Sequence, residues 1–81
     1  MDQELLRIVR DCKARSHPAF NTLFTRFYQV LLGVAMRYMA DRDEAKDVVQ
    51  DSFIKIFRSI NSFSEGNSIE GWMKRIVQNT A

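Results

Sequence analysis

Eighty-one residues, 46% of them hydrophobic and 27% charged, make one domain near the lower size limit for a self-sufficient core, and this balance excludes a disordered chain. A single cysteine, Cys12, excludes an intramolecular disulfide, and no Cys or His cluster has metal-ligand spacing. The net charge of +2 is too small by itself to announce a nucleic-acid binder.

The opening MDQELLRIVRDCKARS carries acids and no continuous apolar run, so it reads as neither a signal peptide nor a membrane span. A reducing cytoplasm is compatible with one thiol. Few glycines and one proline leave few turns, which favours an all-α domain of three main helices preceded by a shorter one. No linker, repeat or low-complexity tract divides the chain, so residues 1–81 are expected to form one unit.

In chain order, Leu5, Leu6, Val9 and Cys12 have helical spacing from Asp2 to about Arg15, with Asp2 as a cap and Ser16-His17-Pro18 as the stop. From Pro18 to about Ala40, Phe20, Leu23, Phe24, Phe27, Tyr28, Leu31, Leu32, Ala35, Met36 and Met39 form a stripe broad enough to face two neighbours. Gly33 in its middle costs roughly 1 kcal/mol relative to Ala, which a close helix crossing would explain.

Asp41 followed by Glu44 has the spacing of a capping box. Ala45, Val48, Val49, Ser52, Phe53, Ile56, Phe57 and Ile60 then define the inner face of a third helix. NSFSEGNS, residues 61–68, has the composition of a loop. Asn67 or Ser68 can cap a last helix whose apolar face is Ile69, Trp72, Met73, Ile76, Val77 and Thr80. That helix meets the end of the chain with no glycine or proline stop, as if truncated within it.

Catalysis finds no support. His17 stands at a helix boundary, where capping or solvent contact is its natural role, and Asp47 and Asp51 lie on a polar face beside Lys and Arg. No phosphate-binding glycine loop or nucleophile motif occurs. Two surfaces invite a binding role instead. Asp47, Gln50, Asp51 and Ile54 share one strip of the third helix, an apolar anchor ringed by polar groups, or else a solvated face with a stray isoleucine. The loop with Phe63, followed by Lys74, Arg75, Gln78 and Asn79 on one helix face, could receive single-stranded nucleic acid, unless Phe63 folds back onto the core. Charge is distributed accordingly: residues 1–40 hold six bases against three acids, whereas residues 41–60 hold five acids against four bases.

The run DRDEAKDVVQDSFIKIFRSINSF, residues 41–63, closely resembles the second conserved region of extracytoplasmic-function sigma factors. The spacing of Phe20, Leu23, Phe27, Tyr28, Leu32, Ala35 and Tyr38 upstream, and SIEGWMKRIVQNTA downstream, resembles the flanking helices of that family. The resemblance covers roughly residues 20–81. It implies that Asp47, Gln50 and Asp51, with Ile54 beside them, contact the clamp helices of the beta-prime subunit of core RNA polymerase. It further implies that Asn61, Ser62, Phe63, Ser64, Asn67 and Ser68 capture an unstacked base of the non-template strand in the promoter -10 element. Lys74, Arg75, Gln78 and Asn79 would then follow that strand, and Trp72 would mainly pack.

Anti-sigma proteins that cover the same surfaces are further partners of this family; no cofactor, metal or membrane insertion is implied. Ile69 departs from a position where the family often has Phe. The Arg-rich continuation of the last helix and the helix-turn-helix domain that reads the -35 element do not follow in these residues. The alternative from another class is a helical adaptor that binds a partner helix through the Asp47–Ile54 strip and has no nucleic-acid role. An exposed Trp72 or Met73 edge would make self-association plausible.

Overall fold

A computed structural model describes all 81 residues as four α-helices and no strand. The helices are α1 (Gln3–Lys13), α2 (His17–Ala35), α3 (Arg42–Ser59) and α4 (Ile69–Thr80), and a 3-10 turn, Ile60–Ser62, directly extends α3. No helix is long and apolar enough to cross a membrane. The all-α architecture with a short leading helix is the one that the hydrophobic spacing predicts.

α2 is the organising element, because it packs against each of the other three helices. Leu23, Leu31 and Ala35 are fully enclosed, and Phe27 and Leu32 nearly so. An aromatic seam joins α2 to α3: Phe20 meets Phe57 at 4.5 Å between ring centroids, and Phe24 meets Phe53 at 4.7 Å. Such pairs add about 0.5–1.5 kcal/mol each beyond the area they bury. Val9 and Cys12 from α1, and Met73 and Val77 from α4, complete one core. Ile8 and Val34, outside the predicted stripes, also join it. The one buried polar side chain, Ser52, donates its hydroxyl to the Val48 carbonyl at 2.6 Å, so no partnerless polar atom is enclosed. Burial pushes the Cys12 thiol up to about 11, leaving it protonated and unreactive at neutral pH.

The helix ends differ in detail from expectation. α2 stops at Ala35 and not near Ala40, because the N–H groups of Arg37 and Tyr38 tighten onto the carbonyls three residues back, Val34 and Ala35. Met36 is therefore exposed, not part of the core stripe. Gly33 then belongs to the last turn of α2, and a Cβ there would meet nothing within 4 Å, so no close helix crossing requires it. Asp41 caps α3, but its carboxylate accepts from the Asp43 N–H at 2.9 Å, and no reciprocal bond from Glu44 completes a capping box. Ser68, of the two candidates, caps α4 by accepting from Gly71 N–H at 3.1 Å. At the start, Asp2 caps α1 as expected. The Leu5 N–H and the neighbouring Arg26 hold its carboxyl below the ordinary range.

The end of α1 contains the one unusual backbone conformation. Arg15 has φ +67°, the left-handed region. Its N–H bonds the Cys12 carbonyl and the Ser16 N–H bonds that of Asp11, the pattern of a Schellman cap, in which glycine is the usual occupant. A side chain here costs about 1 kcal/mol. What opposes the cost is the guanidinium, which donates to the Phe57 carbonyl at 2.8 Å and to Asn61 Oδ1 at 3.3 Å, and lies 5.1 Å from the Phe20 ring centroid. It thereby satisfies a carbonyl left open at the end of α3.

Arg15→Ala keeps the backbone strain and loses these contacts, whereas Arg15→Gly removes both. In chemical denaturation the Ala variant is expected to be less stable than the Gly variant by about 1 kcal/mol. Equal stabilities would show that the left-handed conformation carries no strain at this position.

Candidate nucleic-acid and protein interfaces

The inner face of α3 is fixed by Val49, Ser52, Phe53 and Ile56, which are all buried. Asp47, Gln50, Asp51 and Ile54 must then point outward, within about a quarter turn of one another at 100° per residue. Ile54 leaves 53% of its surface in solvent. Asp47 and Asp51 enter no ion pair within the chain, although both signs of charge are abundant around them. The strip presents free acceptors, an amide and one apolar knob on a rigid helix.

The second surface is built where the 3-10 turn delivers the chain into the loop before α4. Phe63 is 3% exposed, and its ring packs 5.3 Å from that of Trp72. Of the two alternatives for this ring, the structure has the one in which Phe63 folds back onto the core and seats the loop. Asn61 likewise belongs to the loop's foundation, since its amide donates to the Lys13 carbonyl at 3.1 Å and its oxygen accepts from Arg15. Ser62 donates to the Ser59 carbonyl at 2.7 Å.

The free part of the loop is Ser64, Gly66, Asn67 and Ser68, all exposed. Glu65 between them is drawn onto α1, where Arg10 grips its carboxylate through Nε and Nη2 at 3.1–3.3 Å. That fork holds the Glu65 carboxyl below the ordinary range. The pair is thus fully formed above the usual carboxylate pKa and is lost as pH falls through the lowered value.

On α4, Arg75, Gln78 and Asn79 are exposed on one side, while Lys74 is half-buried and pairs with Glu70 at 3.0 Å. Between loop and helix lies an open cleft of about 360 Å³, lined by Asn67, Ser68, Gly71, Trp72 and Arg75. A larger hollow of about 560 Å³ lies on the α1–α2 side of the same loop and includes Arg26, Val30 and Ile69. The cleft brings together a half-buried indole, an unpaired guanidinium and two small polar groups, a combination suited to a flat ring bearing a phosphate. Periodicity places Trp72 in the apolar stripe, and nothing local reveals that its other edge lines this cleft. Gly71 was equally silent in the sequence: lacking a side chain, it leaves the cleft floor low.

This arrangement, an all-helical domain with a bare polar strip on one helix and a basic cleft beside a seated loop, is that of a binding module. The model of the sigma-70 region 2 family matches residues 23–81, and the chain belongs to that family. It is 35% identical over 80 residues to the RNA polymerase sigma-H factor of Pseudomonas aeruginosa, covering 99% of this chain and 40% of that protein. It is 44% identical over 63 residues to the ECF RNA polymerase sigma-E factor of Haemophilus influenzae, covering 78% of this chain and 33% of that protein. The chain therefore spans less than half the length of these curated relatives. Among solved structures, it resembles an engineered region 2 of sigmaE in complex with GTAAAA, determined by NMR, with TM-score 0.87 and 30% identity over 99% of this chain and 85% of that one.

A Cβ at Gly71 would stand 3.5 Å from Ser68 Oγ and 3.6 Å from Ser68 Cβ, which is ordinary contact. Gly71→Ala is accordingly expected to stabilise the domain by about 0.5–1 kcal/mol through helix propensity. A lowered midpoint in thermal denaturation would mean that the Ser68 cap is disturbed by the added methyl.

Proposed function

We propose that this chain docks on core RNA polymerase and holds the non-template strand of a promoter -10 element in single-stranded form. It would act in the cytoplasm as a module of a longer initiation factor and take no catalytic part. The observation that carries the reading is the likeness, over nearly the whole chain, to a region 2 domain bound to GTAAAA. The loop and cleft supply the chemistry such a strand requires.

In this reading the bare strip of α3 meets the beta-prime clamp helices. Asp47, Gln50 and Asp51 make polar contacts there, and Ile54 buries an apolar side chain. Its two acids suit a protein surface better than a phosphate backbone. Ser64, Asn67 and Ser68 line the entrance for an extruded base, Trp72 offers a ring edge, and Arg75 with Lys74 answers phosphate. Gln78 and Asn79 lie further along α4 for polar contact with base edges or backbone. Extruding a base costs a few kcal/mol, which stacking and phosphate contacts must offset. Both surfaces are also open to an anti-sigma protein, which would compete by covering either one.

Gln50→Ala/Asp51→Arg is expected to lower affinity for purified bacterial core polymerase at least tenfold with unchanged helicity by circular dichroism. Undiminished binding would remove the strip from the interface.

Single-stranded DNA is expected to bind more tightly than duplex of the same sequence at matched salt. Lys74→Ala/Arg75→Ala should lower the slope of log affinity against log salt by about 1–2. A helical adaptor without a nucleic-acid role would show neither preference nor slope, and replacement of Lys74, Arg75 and Asn79 would leave its behaviour unchanged.

A further inference from the structure

We propose that α1 is the mount of the strand-holding loop, with Lys13 and Arg10 as positioning residues that order the loop before a strand arrives. The proposal rests on the reading of that loop as the strand-binding one. The family match begins at residue 23, so α1 lies wholly outside it. Yet α1 supplies most of the side-chain contacts that anchor the loop.

The loop holds itself poorly. Between Ser64 and Asn67 a single backbone hydrogen bond, Asn67 N–H to the Ser64 carbonyl at 3.0 Å, closes the turn. The side-chain hydrogen bonds that reach the loop from another helix join it to residues about fifty positions earlier. Lys13 Nζ donates to the Phe63 carbonyl at 2.6 Å, stands 3.9 Å from the Glu65 carboxylate and lies 5.8 Å from the Phe63 ring centroid. Only 23% of the Lys13 side chain is exposed, so its stem lies along the protein and carries the ammonium to these partners. Arg10 closes a fork on Glu65, and Arg15 with Asn61 ties the loop's first residue to the end of α1.

An isolated exposed ion pair adds little to stability. The consequence here concerns order: a loop already held in its bound shape loses less entropy on binding. The same contacts keep the carboxylate of Glu65 neutralised against α1, beside a surface meant for phosphate.

The sign of the Glu65→Gln effect separates this role from simple electrostatics. Were Arg10 and Lys13 phosphate contacts and Glu65 a mere repulsive charge, removing that charge would tighten strand binding. A mounting role requires the opposite. The test uses the full chain with fluorescent single-stranded GTAAAA and, beside it, a pool of random single-stranded decamers, titrated at several salt concentrations. Amide hydrogen exchange of Ser64–Ser68 is followed in parallel without DNA.

Lys13→Met, which retains the apolar stem, and Glu65→Gln are each expected to weaken strand binding about three- to tenfold while speeding loop exchange. The salt slope should stay near that of the wild type. Arg10→Gln should add little to Glu65→Gln, because the two remove one contact.

Tighter binding by Glu65→Gln overturns the proposal, as does a slope lowered by about 1 in Lys13→Met, which would make Lys13 a phosphate contact. Faster loop exchange with unaltered affinity also overturns it. A wild-type chain that binds neither probe removes the strand-binding reading itself, and the proposal with it. The exchange data then still report whether α1 orders the loop, which keeps the two failures apart.

Discussion

Everything in this fold depends on covering α2. Its apolar side chains occupy so much of its circumference that two neighbours do not suffice, and α1, α3 and α4 all lean on it. Each neighbour contributes one stripe to a single core of twenty buried apolar residues, as an 81-residue chain must if its enclosed volume is to be adequate. Committing the inner stripes in this way leaves the outer faces of α3 and α4 no freedom to rotate. The polar strip from Asp47 to Ile54 and the row Arg75, Gln78, Asn79 are outward because Phe53, Ile56, Met73 and Val77 are inward.

The loop before α4 is held by a different balance. Phe63 brings an aromatic ring into the core, which anchors one end by burial, and the Ser68 hydroxyl fixes the other by capping α4. Between those points the backbone has almost no bonds of its own, and charge-assisted contacts from α1 take their place. Arg15 belongs to the same arrangement. It occupies a backbone conformation that suits glycine, and its guanidinium closes the end of α3 from there. Local strain at one helix end is thus exchanged for a satisfied carbonyl at another.

Much of this was legible from residue spacing. The third helix, with its inner stripe and outer strip, follows from a 3.6-residue repeat that any packing partner would respect, and the Asn/Ser/Gly composition of residues 61–68 marks a loop in any context. The end of α2 was not legible. Met36 and Met39 continue the apolar pattern past Ala35, and only the backbone shows that the helix tightens and ends before them. Phe63 was ambiguous for a related reason, since an aromatic in a loop has the same sequence signature whether it seats the loop or waits for a base.

By itself, then, the sequence determined the helices, their apolar faces, the family and the two polar surfaces, because each of these is written in neighbours within one or two helical turns. The tertiary structure decided which loop residues are free and which are foundations, that Trp72 and Gly71 shape a cleft, and that α1 reaches across to hold Glu65 and the Phe63 carbonyl. Those contacts join residues 50 and 55 positions apart, and their geometry is set by packing on α2. No pattern local to either segment encodes it.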